Sequence, residues 1–443
     1  MHNCKRRTHP KSNTRDNEEQ RAIHPTLAYL KWHLLLLKLY GIIPFYTILS
    51  LYEIGPPTRR VTRITRLMLL AKAVMNIVHV YIYLSSTILK ILFLRSQTDG
   101  ITNMLDVTFC MICDITITWT CVCNTTIIME IINRFLKVDR LLKQYADSPA
   151  ERPTSTNIFN RYLFFIYAYI FSLIISYLKR TYDLVSLYFW IYILFYQLEN
   201  AISCAFVVFI SALMHLLAER FRYINQLIAQ YNRREIVRSS EYYTHDRLMP
   251  ASDFDGKTTN RNEATLQLFA TNSAIIYGLY VDLLDILKMI NNYAGLGLLA
   301  YLLYACYGLL SCAYNSLLFN WSPGEDLYYM VWNFSWLPLY ASILTILANN
   351  CAKATEEANK TPLILARVYG KGKKYQTIID KFLTKSLKQT VHFTAYHFFP
   401  INRATLFQIF SAVTTYLVIL MQFKELEKSK DKWNAEASKY NYE

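Results

Sequence analysis

Glycine and proline are scarce in this chain, 11 and 12 of 443 residues, well below the roughly 12% the two contribute on average. So few turn formers exclude collagen-like, low-complexity and many-stranded β architectures, and leave long helices with few connections. Charge is scarce too: 18% of residues are Asp, Glu, Lys or Arg and 53% are hydrophobic, against about 25% and 45–50% in soluble domains. An early apolar run with a small-residue cleavage site is missing. The first thirty residues are polar and basic (Lys5, Arg6, Arg7, Lys11, Arg15, Arg21), so the amino terminus is expected to stay in the cytosol. A glycine-rich phosphate loop, a Gly-x-Ser-x-Gly elbow and a converging set of metal ligands are all absent from the sequence, so neither an enzyme nor a cofactor or metal is expected.

What the chain has is apolar length. Seven stretches are long enough to cross a hydrocarbon core of about 30 Å, which takes about 20 helical residues: 67–94, 104–129, 162–178, 184–217, 290–319, 328–350 and 404–423. An eighth, Tyr29 to Leu51, is interrupted by Lys31, Lys38, Gly41 and Pro44; it reads as a helix on or dipping into the inner face in preference to a span. The fold expected is all-α, an integral membrane bundle of seven helices.

The basic residues orient it. Of 47 Lys and Arg, 37 fall in 1–66, 130–161, 218–289 and 351–403, and eight in 95–103, 179–183 and the tail. The cytoplasmic side attracts Lys and Arg, so the amino terminus is placed inside and the carboxy terminus, after seven spans, outside. Lys72 and Lys90 are left near the ends of the first span, where they are expected to snorkel. The net charge of +15 is therefore a membrane-topology signal and not a nucleic-acid surface. The chain divides into a cytosolic region with its membrane-associated helix (1–66), spans one to four (67–217), a cytosolic linker and helix (218–289), spans five and six (290–350), a cytosolic anchor segment (351–403), the last span (404–423) and an external tail (424–443).

Nine cysteines, an odd number, lie mostly within or beside the spans, and the outer loops and tail contain none. No external disulfide is expected. Cys110 with Cys113 and Cys121 with Cys123 mimic metal or redox spacing, but without a second pair they read as small buried residues. Between Arg233 and Arg261, where His245, Asp246, Asp253 and Asp255 cluster, the sequence reads as a solvated polar loop. An amphipathic helix is expected from about Tyr375 to Phe393, with Ile379, Phe382, Leu383, Leu387 and Val391 on its apolar face, and Asn402 is positioned to cap the last span.

The last span carries an ordered set of polar residues. Gln408, Ser411, Thr415 and Gln422, with Ile419 between the last two, fall on one helical stripe; the rest is Leu, Ile, Val, Phe and Met. Such a stripe either joins neighbouring helices by hydrogen bonds or faces water. In the second case a ring of Ile419 makes a dewetting gate beside a polar ring of Gln422, which requires an oligomer.

The same segment resembles the carboxy-terminal signature of the insect gustatory receptors: Thr415-Tyr416, five apolar residues, then Gln422-Phe423. The stretch Leu39-Tyr-Gly-Ile-Ile-Pro44 resembles the family's amino-terminal pattern. The resemblance implies a ligand-gated cation channel related to the insect odorant receptors, a tetramer of identical or related subunits in the plasma membrane of sensory neurons. In it the last helix lines the pore, cytosolic helix ends form an anchor, and each subunit holds a tastant pocket open to the outside. Carried over, Gln422 forms the polar constriction and Ile419 the hydrophobic gate. Sugar-sensing members resemble one another in having Glu directly after the Tyr. Leu417 stands there in this chain, which favours a bitter or broadly tuned receptor.

With that orientation the outer halves of the spans contain Asp106, Asp114, Tyr188, Trp190, Gln197, Glu199, Tyr307, Tyr314, Asn315, Trp332, Asn333 and Trp336. Aromatic walls with a few polar groups suit a small-molecule pocket, and carboxyl groups at membrane depth face protein or water. Asp106 and Asp114 are thus candidates for a cationic ligand, or pair with polar neighbours. The aromatics equally suit a membrane interface. Trp332, Asn333 and Trp336 share one helix end and rank first. A G-protein-coupled receptor has seven spans but the opposite orientation, and its Asp-Arg-Tyr and Asn-Pro-x-x-Tyr motifs are missing. A transporter calls for a repeated half or paired broken helices.

Overall fold

A computed structural model of the chain describes residues 24–43, 46–50, 53–56, 59–85, 97–145, 156–181, 187–246, 257–317, 327–366 and 391–440. Among these, nine helices carry the architecture: α1 (Pro25–Leu39), α2 (Arg59–Tyr83), α3 (Gln97–Cys123), α4 (Thr125–Tyr145), α5 (Thr156–Thr181), α6 (Leu187–Asp246), α7 (Lys257–Leu317), α8 (Leu327–Ala366) and α9 (Arg403–Tyr440). Two short antiparallel hairpins join them, β1 (Thr47–Ser50) with β2 (Glu53–Gly55), and β3 (Thr394–Ala395) with β4 (Phe399–Pro400).

Six helices contain a segment long and apolar enough to cross a membrane: Thr62–Tyr83, Gly100–Cys123, Trp190–Ala229, Ile275–Leu317, Met330–Ile364 and Arg403–Lys430; in α5 the described apolar stretch Arg161–Ile175 is shorter. All seven expected spans thus have a helix. The first begins earlier than the apolar run, at Arg59, and its expected outer end, 86–94, lies outside the described residues. The second stops at Cys123: Asn124, Thr125 and Thr126 form helices poorly because their side chains compete for backbone partners, and α4 starts after the single residue Asn124.

The expected polar loop of 233–261 is a correction. Helix α6 runs through Asp246 and α7 starts at Lys257, because no Gly or Pro stands between Arg220 and Met249 to stop the chain. His245 and Asp246 therefore belong to a helix end, while Asp253 and Asp255 lie outside the described residues. The expected amphipathic helix near 375–393 falls outside them up to residue 390; Val391 to Phe393 are not helical.

Helix α6 is the centre. Of its most apolar segment 94% is buried, against 11% for α2 and 6% for α9, so α6 is surrounded by protein while α2 and α9 are peripheral. It packs on α8, α7 and α3, and α9 leans on α7 and α8. Helix α1, 15 residues or about 22 Å long, is too short to span. It buries Leu27, Leu30, Leu34 and Leu37 on one face against α5 and α6. Its start is tied down by Arg220 of α6, whose guanidinium donates to both Asp139 oxygens at 2.9 and 3.1 Å and to the Thr26 hydroxyl at 3.0 Å. Burial lowers the pKa of the adjoining His24, with the Asp139 carboxylate opposing it.

Three asparagines act as artificial strand edges. Asn133 of α4 accepts from the Ile54 amide at 2.9 Å and donates to its carbonyl at 3.1 Å. Asn359 of α8 does the same for Val391, both at 3.2 Å, and Asn291 of α7 accepts from the Thr394 amide at 2.8 Å. The second hairpin, which leads into α9, is thereby fastened to α7 and α8. Its three-residue connection has Tyr396 and His397 at positive φ, 47° and 63°, closed by Phe398 donating to the Ala395 carbonyl at 3.0 Å. Gly295 makes room for it: a Cβ there would meet the Tyr396 backbone at 3.1 Å. Asn402 caps α9 as expected, accepting from the Thr405 amide at 3.0 Å.

Candidate functional site

Two regions correspond to the expected sites. The first lies among α2, α3, α6, α7 and α8. Helix α8 presents Trp332, Trp336 and Tyr340 one turn apart, their rings 5.9 and 6.0 Å from one another. Tyr340 continues the row into α7: its ring stands edge-on to Tyr304 at 5.7 Å and the two hydroxyls are 2.7 Å apart. Asn200 of α6 donates to the Tyr340 hydroxyl at 3.3 Å. This close approach depends on Gly308, where a Cβ would meet the Tyr340 ring at 3.0 Å. Pro338, inside the row, lacks the N–H that would meet the Phe334 carbonyl, and Tyr169 of α5 donates to the neighbouring Ser335 carbonyl at 2.5 Å.

The acids of the same bundle are engaged in different ways. Tyr196 donates to Asp106 Oδ2 at 2.6 Å, while Asp106 Oδ1 is shielded and has no partner. Asp114 differs. Lys72 reaches both of its oxygens at 2.8 Å and Asn76 donates to it at 3.1 Å. The expectation that Lys72 snorkels outward is overturned: it points into the bundle, because a lysine this far along α2 neutralises a buried acid more favourably than it reaches water. Asp114 is thereby occupied and has no free charge for a ligand. Glu199 is engaged by His79 at 2.7 Å, leaving its Oε2 and His79 Nε2 without partners. Gln197 is buried with its Oε1 unpartnered. Buried polar atoms left unsatisfied cost about 1–3 kcal/mol each, so these are the atoms a bound molecule or water would meet.

The other expected residues spread more widely. Asn333 is buried near the amino-terminal end of α8 and Tyr314 in α7, and Asn315 and Trp190 are half-buried. Tyr307 donates to the Thr102 carbonyl at 3.1 Å and leans on Phe109. For Tyr188 the structure describes only its place in α6. Sequence reasoning missed Tyr196, Asn200, Tyr304, Tyr340 and His79. One signal was available: Lys72, Asn76, His79 and Tyr83 recur at four, three and four residues, a polar stripe down α2.

The second region is α9. At about 100° per residue, Leu406, Ile409, Phe410 and Val413, which pack on the core, form one face. Gln408, Ser411, Thr415, Ile419 and Gln422 fall on the opposite face, and all five are exposed. Thr415 donates to the Ser411 carbonyl at 3.0 Å. None of the five reaches another helix of this chain by a described hydrogen bond, so intrachain glue does not account for the stripe. Tyr416 and Phe423 of the signature share a flank, 59% and 57% exposed. Among the described residues no group of three His, Cys, Asp or Glu converges, and Cys110, Cys113 and Cys121 are buried and free.

The class of protein follows from this arrangement. The fold is that of an insect olfactory receptor: it superposes on receptor OR5 of Machilis hrabei in complex with eugenol with a TM-score of 0.58 at 12% identity, covering 89% of this chain and 98% of that one. Without eugenol the TM-score is 0.56 at 11% identity. The sequence model of the seven-transmembrane chemosensory receptors matches residues 30–427, and the chain belongs to that family, a family of receptors and not of enzymes. It is 35% identical to gustatory and pheromone receptor 32a of Drosophila melanogaster over 419 residues, 92% of this chain and 87% of that receptor. Gustatory receptor 68a of the same species is 56% identical over 95 residues, 21% of this chain and 24% of that one.

Proposed function

We propose that this receptor is a ligand-gated, non-selective cation channel in the plasma membrane of sensory neurons, a tetramer of identical or related subunits around a pore lined by α9. Its amino terminus is cytosolic and its carboxy terminus external. The observation that carries the reading is the direction of the α9 stripe. A spanning helix that turns Gln408, Ser411, Thr415 and Gln422 away from its own bundle exposes them to lipid unless other subunits enclose them, and polar groups facing hydrocarbon are costly. Four copies around an axis put Ile419 in a ring that dewets and Gln422 in a polar ring one turn further out. Cytosolic ends of α4, α6 and α7, with 351–403, form the anchor between subunits.

The agonist is a small molecule that enters from outside and lies against Trp332, Trp336 and Tyr340, with Asp106 opposite. Asp106 has no described cation partner, so its free oxygen suits a cationic or hydrogen-bond-donating agonist. Leu417, where sugar-sensing members carry Glu, favours bitter or broadly tuned recognition. The names of the relatives add pheromones to the compounds to be tried.

The pore is tested by Gln422→Ala in the expressed receptor. Substitution is expected to change relative cation permeability or block while agonist potency stays the same. Permeation and block identical to wild type would remove α9 from the pore.

A further inference from the structure

Helix α9 does not end where its apolar segment ends. It continues for 17 residues past Phe423 to Tyr440, about 25 Å at 1.5 Å per residue, through a sequence rich in charge: Lys424, Glu425, Glu427, Lys428 and Lys430. Two large apolar side chains in this extension stand in the open, Leu426 at 66% and Trp433 at 72% exposure. They are seven residues apart, and Leu426 is seven from Ile419. An apolar residue at every seventh position keeps to one face of a long helix, and is half of the a and d pattern by which helices pair. It drifts only about 20° per heptad, so it continues the stripe that faces away from this subunit's bundle.

The charges fit the same register. With Ile419, Leu426 and Trp433 at a, Glu425 falls at g and Lys430 at the next e, the two positions that meet across a parallel coiled coil. Both are exposed. Lys424 and Glu427, which bond to each other at 3.5 Å, fall at f and b, on the outer side. At the d positions the register carries Gln422, Ser429 and, past Trp433, Glu436, so the seam proposed ends at Trp433; the Ser429 hydroxyl is satisfied within the helix by the Glu425 carbonyl at 3.0 Å.

We propose that the carboxy-terminal extension of α9 pairs in parallel with the same extension of a neighbouring subunit, outside the membrane, through the Ile419–Leu426–Trp433 row and Glu425–Lys430 contacts. The partner is a second copy because the complementary charges and the apolar row lie on one helix in one parallel register. The inference rests on the oligomeric reading above. One apolar residue per heptad is a weak seam, and it holds only when assembly of the spans supplies a local concentration in the millimolar range.

The test uses the full-length receptor in cell membranes. Leu426→Cys, Trp433→Cys and, as an out-of-register control, Lys428→Cys are oxidised with copper phenanthroline and run on denaturing gels beside wild type. The native mass of each variant is measured in detergent. Leu426→Cys and Trp433→Cys are expected to give covalent dimer at several times the level of Lys428→Cys and wild type. In the Leu426→Cys background, Glu425→Lys is expected to lower the yield and Lys430→Glu to restore it. A tetrameric mass with no excess of dimer at Leu426 and Trp433 overturns the pairing and leaves the channel reading standing. A monomeric mass overturns both. Equal yields at all three positions mean that the tails meet without register, which also overturns it.

Discussion

At the scale of single residues, two of the buried acids in the bundle are paired with a basic residue of another helix. Lys72 with Asp114 joins α2 to α3, and His79 with Glu199 joins α2 to α6. Asp114 and Lys72 were each legible as charges inside an apolar run, but nothing in the sequence said that they meet. Breaking such a pair from one side leaves a buried charge uncompensated, a loss of about 3–5 kcal/mol, whereas removing both partners is often nearly neutral. Lys72→Met is therefore expected to abolish surface expression, and Lys72→Met combined with Asp114→Leu to restore it. Surface labelling of the two variants checks this. Equal expression of the single and double variants would mean that the pair contributes nothing to folding.

At the scale of elements, α8 shows how helical spacing builds an aromatic row. The four-residue spacing of Trp332, Trp336 and Tyr340 puts three aromatic rings in one row, and Gly308 lets α7 approach Tyr340 closely. The first two members were legible as aromatics clustered at one end of an apolar run. Tyr340 was not, because only packing against Tyr304 and Asn200 gives its hydroxyl a role. Tyr340→Phe keeps the ring and removes that hydroxyl. It is expected to shift the agonist dose-response by about tenfold, the equivalent of one hydrogen bond of about 1.4 kcal/mol, with surface expression unchanged. Trp332→Ala, at a half-buried ring, is expected to shift it in the same direction. Curves that overlay wild type for both variants would put the agonist elsewhere in the bundle.

At the scale of the whole molecule, the excess of Lys and Arg on one side of the spans argues for an inverted topology. The carboxy terminus is expected to be external. A tag placed after Glu443 is expected to stain on intact cells expressing the receptor. Staining only after permeabilisation, with surface delivery confirmed separately, would reverse the orientation and place the α9 extension in the cytosol.

The sequence by itself determined the apolar helices and the family. Apolar length, the scarcity of Gly and Pro and the Thr415–Phe423 signature are local properties, and local properties survive without knowledge of the fold. It also determined the α9 stripe, since helical periodicity alone puts those five residues on one face. Tertiary structure decided which helix is central, that Lys72 turns inward, and that asparagines of α4, α7 and α8 hold the two hairpins. These depend on contacts between residues tens to hundreds of positions apart, such as Lys72 with Asp114 or Asn291 with Thr394. A hydrophobicity pattern records which residues avoid water, and only packing decides which of them meet.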